Sequence, residues 1–337
     1  MAGRLRFPCF LSAALLVASL SHAPAGLAWV AGAGGGVSAT SGPYRGLVGP
    51  PAEPEPPPAE WDRALPFFAQ QVVDKGYTLP NPYDIGYSYF DGHQRYQLSG
   101  LQISVGNNPL RAANFVQFDQ SKIHNTSHQV QVGAWLFPFM NVYGILGTVQ
   151  GAGDIGIGFS SLRDLEQFFG IDTGCGGRRP LPACSQPIRL PTQHANYSGH
   201  TYGAGFTLVG VYRNIFFSLP VTYTVSDITM SDSPIHSINI GPRVGYNVRV
   251  GRFGILTPFV GATYFQTHAN VTGHFDVPIP GSAATQRLNY QIAEKVTGAW
   301  SGSAGLSWAI NRSLGILLEI GYGYNRNNVI ATGFFRF

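Results

Sequence analysis

The sequence predicts an all-β chain, a transmembrane antiparallel β-barrel of about ten strands (roughly eight to twelve tolerated), behind a Pro/Gly-rich N-terminal extension. Composition is the first reason. Only 11% of the 337 residues are charged, whereas a soluble domain carries roughly 25%. The mean hydropathy is nevertheless only +0.04, which argues against several apolar helices of about 20 residues each. Abundant glycine and 13% aromatic residues complete a mixture typical of strands with one lipid-facing side and one polar side.

Period-two alternation is the second reason, and it dominates from about residue 97 to residue 337. In 236–250, apolar residues fall on one face and polar or tiny residues on the other. Segments 296–310 and 314–325 divide in the same way. Each segment therefore predicts a strand with apolar material on one side only.

Connection lengths are the third reason, because short turns alternate with longer polar insertions. The short turns are predicted at 138–141, 213–214, 251–254 and 311–313, and the longer connections at 119–127, 150–199, 227–235, 271–288 and 326–328. Short turns on one side and longer loops on the other are typical of transmembrane barrels. Counting upward from Leu98, about ten strands bring the chain down on the short-turn side, an even number as such barrels require.

The last strand carries the most specific local signal. The segment VIATGFFRF alternates apolar residues and ends on Phe337. It resembles the C-terminal strand of Gram-negative outer-membrane β-barrel proteins, in which the terminal Phe is a recognition element for assembly. The resemblance implies a bacterial outer-membrane location, Phe335 and Phe337 as an assembly signal, and outer-membrane lipid, lipopolysaccharide and the barrel-assembly machinery as partners. It indicates no particular functional family.

The residues before the barrel fall into three predicted segments. Residues 1–25 are expected to be a signal peptide, with basic Arg4 and Arg6 before an apolar stretch too short to span a bilayer. Residues 26–60 form a Gly/Pro-rich linker that cannot bury a core. Residues 61–96 are predicted to be a short periplasmic or plug-like segment, with 97–337 as the barrel.

Two other folds remain open from the sequence. Residues 132–149 carry no charge and could be taken for a transmembrane helix, although Pro138 and Asn141 favour two strands around a turn. A secreted soluble β-sandwich would bury the same apolar faces in a core. The terminal Phe and the asymmetry of the connections favour the membrane.

The few charges on the polar faces are the candidate site. If apolar faces meet lipid, a small set of polar residues projects into the interior. One interpretation is a water-filled constriction that prefers anions, because rings of arginine select anions in pores. The other is that Glu319 pairs with an arginine and the side chains fill a narrow barrel. The predicted lumen residues are Arg243, Arg249, Glu319, Arg336 and Asn247.

The 150–199 insertion is large enough to fold on itself. Cys175 and Cys184 are expected to form a disulfide that closes a loop, because they are an isolated pair in an exported chain. A short helix is expected near Leu162, and Arg178, Arg179 and Arg189 could contact lipopolysaccharide phosphates. The insertion could therefore cap the barrel or act as a binding or adhesion element.

Enzymatic signals are weak. Several histidines fall in or beside the long connections with aspartates nearby, which would suit a hydrolase at the rim, as in omptin-like proteases. No His-x-Ser, G-x-S-x-G, H-E-x-x-H or G-x-x-x-x-G-K motif is present. The expected function is therefore a small passive channel or a structural surface protein, with the rim hydrolase and the binding barrel as alternatives. No cofactor, metal or nucleic acid is expected, and small solutes are candidate partners.

Overall fold

The computed structural model describes residues 44–45, 60–75, 77–119, 121–170, 175, 182–278 and 285–337. The predicted signal peptide lies outside these residues, as does all of the predicted linker except 44–45 and 60. Tyr44–Arg45 and Tyr77–Thr78 form a small antiparallel pair.

Ten antiparallel strands close into a barrel. Each strand pairs with the next along the chain, and the last pairs with the first, Gly333 opposite Tyr87. The predicted fold class is confirmed. The strands are β1 Tyr83–Val105, β2 Ser121–Phe137, β3 Met140–Ile155, β4 Gln193–Tyr212, β5 Ile215–Ile228, β6 in segments Ile235–Ile240, Arg243–Tyr246 and Val248–Arg249, β7 Ile255–Pro278, β8 in segments Thr285–Val296 and Trp300–Ala309, β9 Leu314–Tyr322, and β10 Arg326–Arg336.

The alternation in the sequence matches the two faces of the barrel wall. Along β9, exposure alternates from residue to residue. Leu318 and Ile320 are exposed on the outside, while Leu317 and Glu319 are buried inside. The same division runs along β10. Because the outward residues are apolar and have no protein partner layer, the barrel presents a hydrophobic band to its surroundings.

Aromatic side chains border this band at both ends. Near the long connections Tyr264 and Trp300 are opposite one another, with ring centroids 5.2 Å apart. We call this border the upper girdle, and it includes Tyr202, Tyr223, Trp300 and Tyr322, all exposed. The lower girdle, beside the short turns, includes Tyr83, Tyr212, Tyr246, Phe253 and Phe337. An apolar band between two aromatic girdles is the outer surface of a transmembrane barrel.

The strands extend beyond the predicted ends on the long-connection side. β2 begins at Ser121 and β7 continues to Pro278, so much of the loops predicted at 119–127 and 271–288 is strand. Above the β9–β10 hairpin, the upper segment of β8 pairs directly with β1, Val296 opposite Tyr96. The hairpin's two strands end there, and the other eight of the ten continue upward. These extensions have polar outer faces, which is why the alternation of apolar residues does not reveal them.

The barrel starts earlier than predicted. β1 begins at Tyr83, so residues 83–96 belong to the wall and the boundary at 97 is wrong. The alternation at the start of β1 depends on tyrosines, and Asp91 and Gly92 interrupt it, so the pattern is weak in sequence. The rest of the segment lies at the short-turn end, where the Phe67 amide donates to the Leu136 carbonyl at 2.9 Å.

Short turns join the strands at the lower end, as predicted. Residues 132–149 form the end of β2, a turn at Pro138 and Phe139, and the start of β3, so the helical alternative is wrong. Among the helices that the structure describes, none is long and apolar enough to cross a membrane. The two α-helices within the described residues are short, α1 at Ala69–Val73 and α2 at Leu162–Phe169.

Candidate functional site

An ion pair crosses the middle of the barrel interior. Nη2 of Arg243 on β6 lies 2.5 Å from Oε2 of Glu319 on β9, and their side chains are 7% and 1% exposed. Strands β7 and β8 separate β6 from β9 in the wall, so the pair bridges the interior. The structure thus brings together two of the predicted lumen residues. Removing one partner would leave a buried charge unpaired, which is costly in a low-dielectric interior.

Guanidinium groups stacked on aromatic rings fill much of the remaining space. Arg326 lies over the ring of Phe265 at 4.6 Å, and Arg336 lies over that of Phe334 at 4.4 Å. Stacking lets a planar cation pack against apolar surface. Arg326 is not among the predicted lumen residues, because the sequence suggested a connection at 326–328. β10 begins at this residue, and only 6% of it is exposed.

Inward glycines make room for the large rings. A Cβ added at Gly315 would collide with the ring of Phe334, and one added at Gly151 would collide with the ring of Tyr197. Both glycines occupy positions on the wall from which a side chain would enter the interior. The abundant glycine therefore serves close packing inside the barrel as well as the turns.

A cluster of buried apolar residues, which we call the apolar layer, lies in the upper half of the interior, and the buried carboxyl of Glu294 is on the same inward face between Ile292 and Val296. The residues of the layer come from β1 to β8 and the β5–β6 connection, and the side chains of Tyr96, Ile123, Val149 and Val271 are completely inaccessible, at 0% exposure. This layer is not predicted from the sequence, which indicated a polar interior throughout. The buried members are Tyr96, Leu98, Ile123, Val149, Ile155, Tyr197, Ile228, Met230, Ile235, Phe265, Val271, Ile292 and Val296.

A smaller apolar cluster lies near the lower end of the interior. Trp135, Val209 and Phe216 are 1%, 7% and 5% exposed and pack together. Between this cluster and the apolar layer, the polar middle contains a cavity of only about 10 Å³ beside Arg243 and Glu319. That space holds about one water molecule. The side chains around the Arg243–Glu319 pair therefore leave little room for water.

The remaining predicted lumen residues have different surroundings. Asn247 is buried, and its Oδ1 accepts a hydrogen bond from the hydroxyl of Thr257 at 2.7 Å. Arg336 is buried below the central pair, with 2% exposed. Arg249 is exposed beside the turn at Gly251–Phe253 and does not join the buried group. Because Arg249 lies at the end of the barrel, its side chain is accessible to solvent even on the inward face of the strand.

A folded cap rises from the upper rim between β1 and β2 and between β3 and β4. It contains a three-stranded sheet of Val116–Phe118, Ile157–Phe159 and Ile188–Arg189, together with α2. We call the described residues within 111–119 and 156–190 the surface cap. Its apolar centre includes Phe115 and Phe159, which pack against Ile103 of β1 and Leu288 of β8. The predicted insertion is therefore ordered in its described parts.

Local signals in the sequence explain the cap helix and its closure. The hydroxyl oxygen of Ser161 accepts a hydrogen bond from the Asp164 amide at 3.1 Å, a standard N-cap. Gly170 ends the helix in the left-handed conformation at φ 67°. Cys175 and Cys184 form the expected disulfide and are almost fully buried. Two of the predicted phosphate-binding arginines, at 178 and 179, lie outside the described residues.

Histidine–aspartate pairs occur on the outside of the rim at three separate places. His124 lies 2.7 Å from Asp91, and His194 lies 2.5 Å from Asp154. The first pair joins β1 and β2, and the second joins β3 and β4. A third pair, His274 with Asp232 at 3.4 Å, joins β7 to the β5–β6 connection. The pairs do not converge on one point, and no group of three metal-ligating side chains occurs among the residues described.

Comparisons with known proteins give similar barrels without a family. No protein-family model matches the chain, and no curated protein matches it. Similar solved structures include the translocator domain of autotransporter NalP from Neisseria meningitidis, with 11% identity, a TM-score of 0.33 and coverage of 77% of this chain and 90% of that one. The toluene transporter TbuX from Ralstonia pickettii has 10% identity and a TM-score of 0.31 over 77% of this chain and 90% of that one.

Three features decide the class of protein. The last strand pairs with the first and closes the barrel, an apolar band faces outward, and aromatic girdles border that band at both ends. The chain is a transmembrane β-barrel of the outer-membrane type. Lipid is therefore the surroundings of the apolar band.

Proposed function

We propose that the protein is a closed structural barrel that holds the surface cap at the outer face of the membrane, and that it is not a passive channel. The apolar layer carries this proposal. A water-filled path would have to cross a layer in which Tyr96, Ile123 and Val149 have no accessible surface. Narrow apolar constrictions expel water and thereby block ions.

Opening the layer would be expensive. Burying one large apolar side chain is worth roughly 1.5 to 3 kcal/mol. Exposing three members to a water-filled path would therefore cost about 5 to 9 kcal/mol. Because 1.4 kcal/mol is a factor of ten, the open fraction would fall below about one in a thousand. The central Arg243–Glu319 pair then acts as a structural bridge rather than an anion-selective constriction.

Solute flux through reconstituted vesicles tests this proposal. Full-length protein in phospholipid vesicles should allow chloride and small sugars to equilibrate no faster than protein-free vesicles do. A porin of known conductance, reconstituted at the same density, is the positive control. Rapid swelling in small sugars, above the protein-free rate, would contradict the closed interior.

A second candidate function is ligand binding by the surface cap. The observation that favours it is the cap's own apolar centre and buried disulfide, since binding sites are held best by rigid elements. Arg111 stacks over Phe168 at 5.1 Å, so a cation already lies on the cap surface. Cells expressing the full chain should then adhere to immobilised polysaccharide more strongly than cells expressing a chain without residues 160–187.

The C-terminal residue supports the proposed assembly signal. The Phe337 amide donates to the carbonyl of Tyr83 at 2.9 Å, and its ring, 52% exposed, is part of the lower girdle. We expect removal of Phe337 to lower the amount of heat-modifiable protein in outer-membrane fractions several-fold. Phe253→Ala, at another exposed girdle position, is the matched control. Equal loss in both variants would point to general girdle packing instead.

A further inference from the structure

A concave depression lies on the outside of the wall, immediately above the lipid-facing surface. Its volume is about 450 Å³. It spans β2, β3 and β4, where Thr126 is opposite Gln150 and Gln150 is opposite Ser198. We call it the outer depression, and its outward lining consists of His124, Thr126, Gln150, Ala152, Asn196, Ser198 and Thr229.

The height of the outer depression is fixed by the strands that form it. Four residues down each strand from Thr126, Gln150 and Ser198, respectively, the outward side chains are Val130, Leu146 and Tyr202. These are lipid-facing, with 44%, 69% and 46% exposed. The intermediate row is His128, Thr148 and His200, which are aligned in the register. The depression is therefore at the level of lipid headgroups, directly above acyl chains.

The chemistry of the lining suits sugar hydroxyls. Amide, hydroxyl and imidazole groups both donate and accept hydrogen bonds, and Gln150, Asn196 and Ser198 provide two amides and a hydroxyl. His124 is held by Asp91, whose Oδ2 lies 2.7 Å from its Nε2. Because the side chain of Ala152 is small, the floor of the depression is deepest at its centre. A pyranose ring could therefore lie across β3 and be hydrogen-bonded from both sides.

Cationic groups stand on the β1–β2 side of the outer depression. Lys122 is exposed and is opposite Arg95 in the register. Two nearby carboxylates already have partners, Asp91 with His124 and Asp154 with His194. Lys122 lies opposite Asp154 in the β2–β3 register but forms no ion pair with it, so its ammonium group can meet a phosphate attached to the sugar.

We infer that the outer depression binds the sugar headgroup of a phosphorylated outer-leaflet glycolipid, with its acyl chains against Val130, Leu146 and Tyr202. The polar lining, the cations beside it and the apolar surface below it match the three parts of such a lipid. This inference is independent of the proposed function, because it concerns the outer wall and would stand if the interior conducted ions.

Binding of purified lipid A to the full-length, detergent-refolded protein tests the inference. Native mass spectrometry or thermophoresis should detect a saturable complex with bisphosphorylated lipid A, and weaker, unsaturable association with phosphatidylglycerol. Ala152→Trp, which fills the depression, should weaken lipid A binding at least tenfold. Ala304→Trp, also outward and exposed but on β8, is the matched control and should leave binding unchanged.

The outcomes separate the sources of affinity. Lys122→Gln should weaken binding of the bisphosphorylated form more than that of dephosphorylated lipid A. If Ala152→Trp fails to give a heat-modifiable barrel, Asn196→Leu replaces it, with the same expected loss. Equal affinity for phosphatidylglycerol and lipid A, or unchanged binding in the folded depression variants, would overturn the inference.

Discussion

At the scale of single residues, one buried ion pair bridges the middle of the interior. Arg243 and Glu319 meet at 2.5 Å in a region that excludes solvent. A buried pair of this kind contributes little net stability compared with an apolar pair of similar shape, but breaking it is costly. The bridge is therefore a place where single and double substitutions should have opposite consequences.

Glu319→Gln should lower the free energy of unfolding by about 3 to 5 kcal/mol, because Arg243 would remain buried without a counter-charge. Arg243→Met combined with Glu319→Leu should recover most of that loss. Urea unfolding in lipid vesicles, followed by tryptophan fluorescence, measures both. Arg249→Ala, at an exposed position, is the control and should change stability by less than about 0.5 kcal/mol. A double variant as unstable as the single one would contradict the bridge.

The sequence predicts the direction of a side chain better than its partner. Period-two parity alone predicts that Arg243, Glu319 and Asn247 face inward, and all three are buried. Parity cannot show that strands separated by two others face each other across the interior, because that depends on closure and tilt. It also fails at Arg249, where the strand ends and the interior no longer encloses the side chain.

At the scale of elements, the strands differ above and below the upper girdle. Below it, outward apolar residues make each strand visible in the sequence. Above it, as around His124 on β2, the outward residues are polar and the inward ones, such as Ile123, are apolar. The apolar face thus changes from the outside to the inside along one strand. A search for outward apolar residues therefore predicts a loop above the upper girdle, where the chain is in fact strand. The uncharged run at 132–149 resembles a helix in sequence because its two strand segments carry apolar residues on both faces.

The surface cap contains its own disulfide, which should stabilise the cap without contributing to the stability of the barrel wall. Cys184→Ser should leave the heat-modifiable barrel intact and make cap residues between 160 and 190 more sensitive to protease. Opening a disulfide loop that spans nine positions should lower the free energy of unfolding of the cap by roughly 2 to 3 kcal/mol. Limited proteolysis followed by mass spectrometry locates the cuts. Complete loss of barrel folding would show that the cap is required for the wall.

At the scale of the whole molecule, the barrel combines a lipid-facing exterior with an interior that contains buried apolar clusters and a buried ion pair. The even strand count and the class of fold follow from turn chemistry and parity in the sequence. The apolar layer does not, because inward residues such as Phe265 and Tyr96 are separated by polar or small neighbours and gather only when eight strands converge. The closed interior that we propose is consequently a property of the assembled barrel.

Single-channel recording in planar bilayers tests the closed interior most directly. The wild-type protein should give no stable conductance steps. A folded variant carrying Tyr96→Ala, Ile123→Ala and Ile292→Ala, which truncates the apolar layer, should give small steps. Steady wild-type conductance whose anion preference is lost in Arg243→Ala would contradict the account and establish a pore through the lumen.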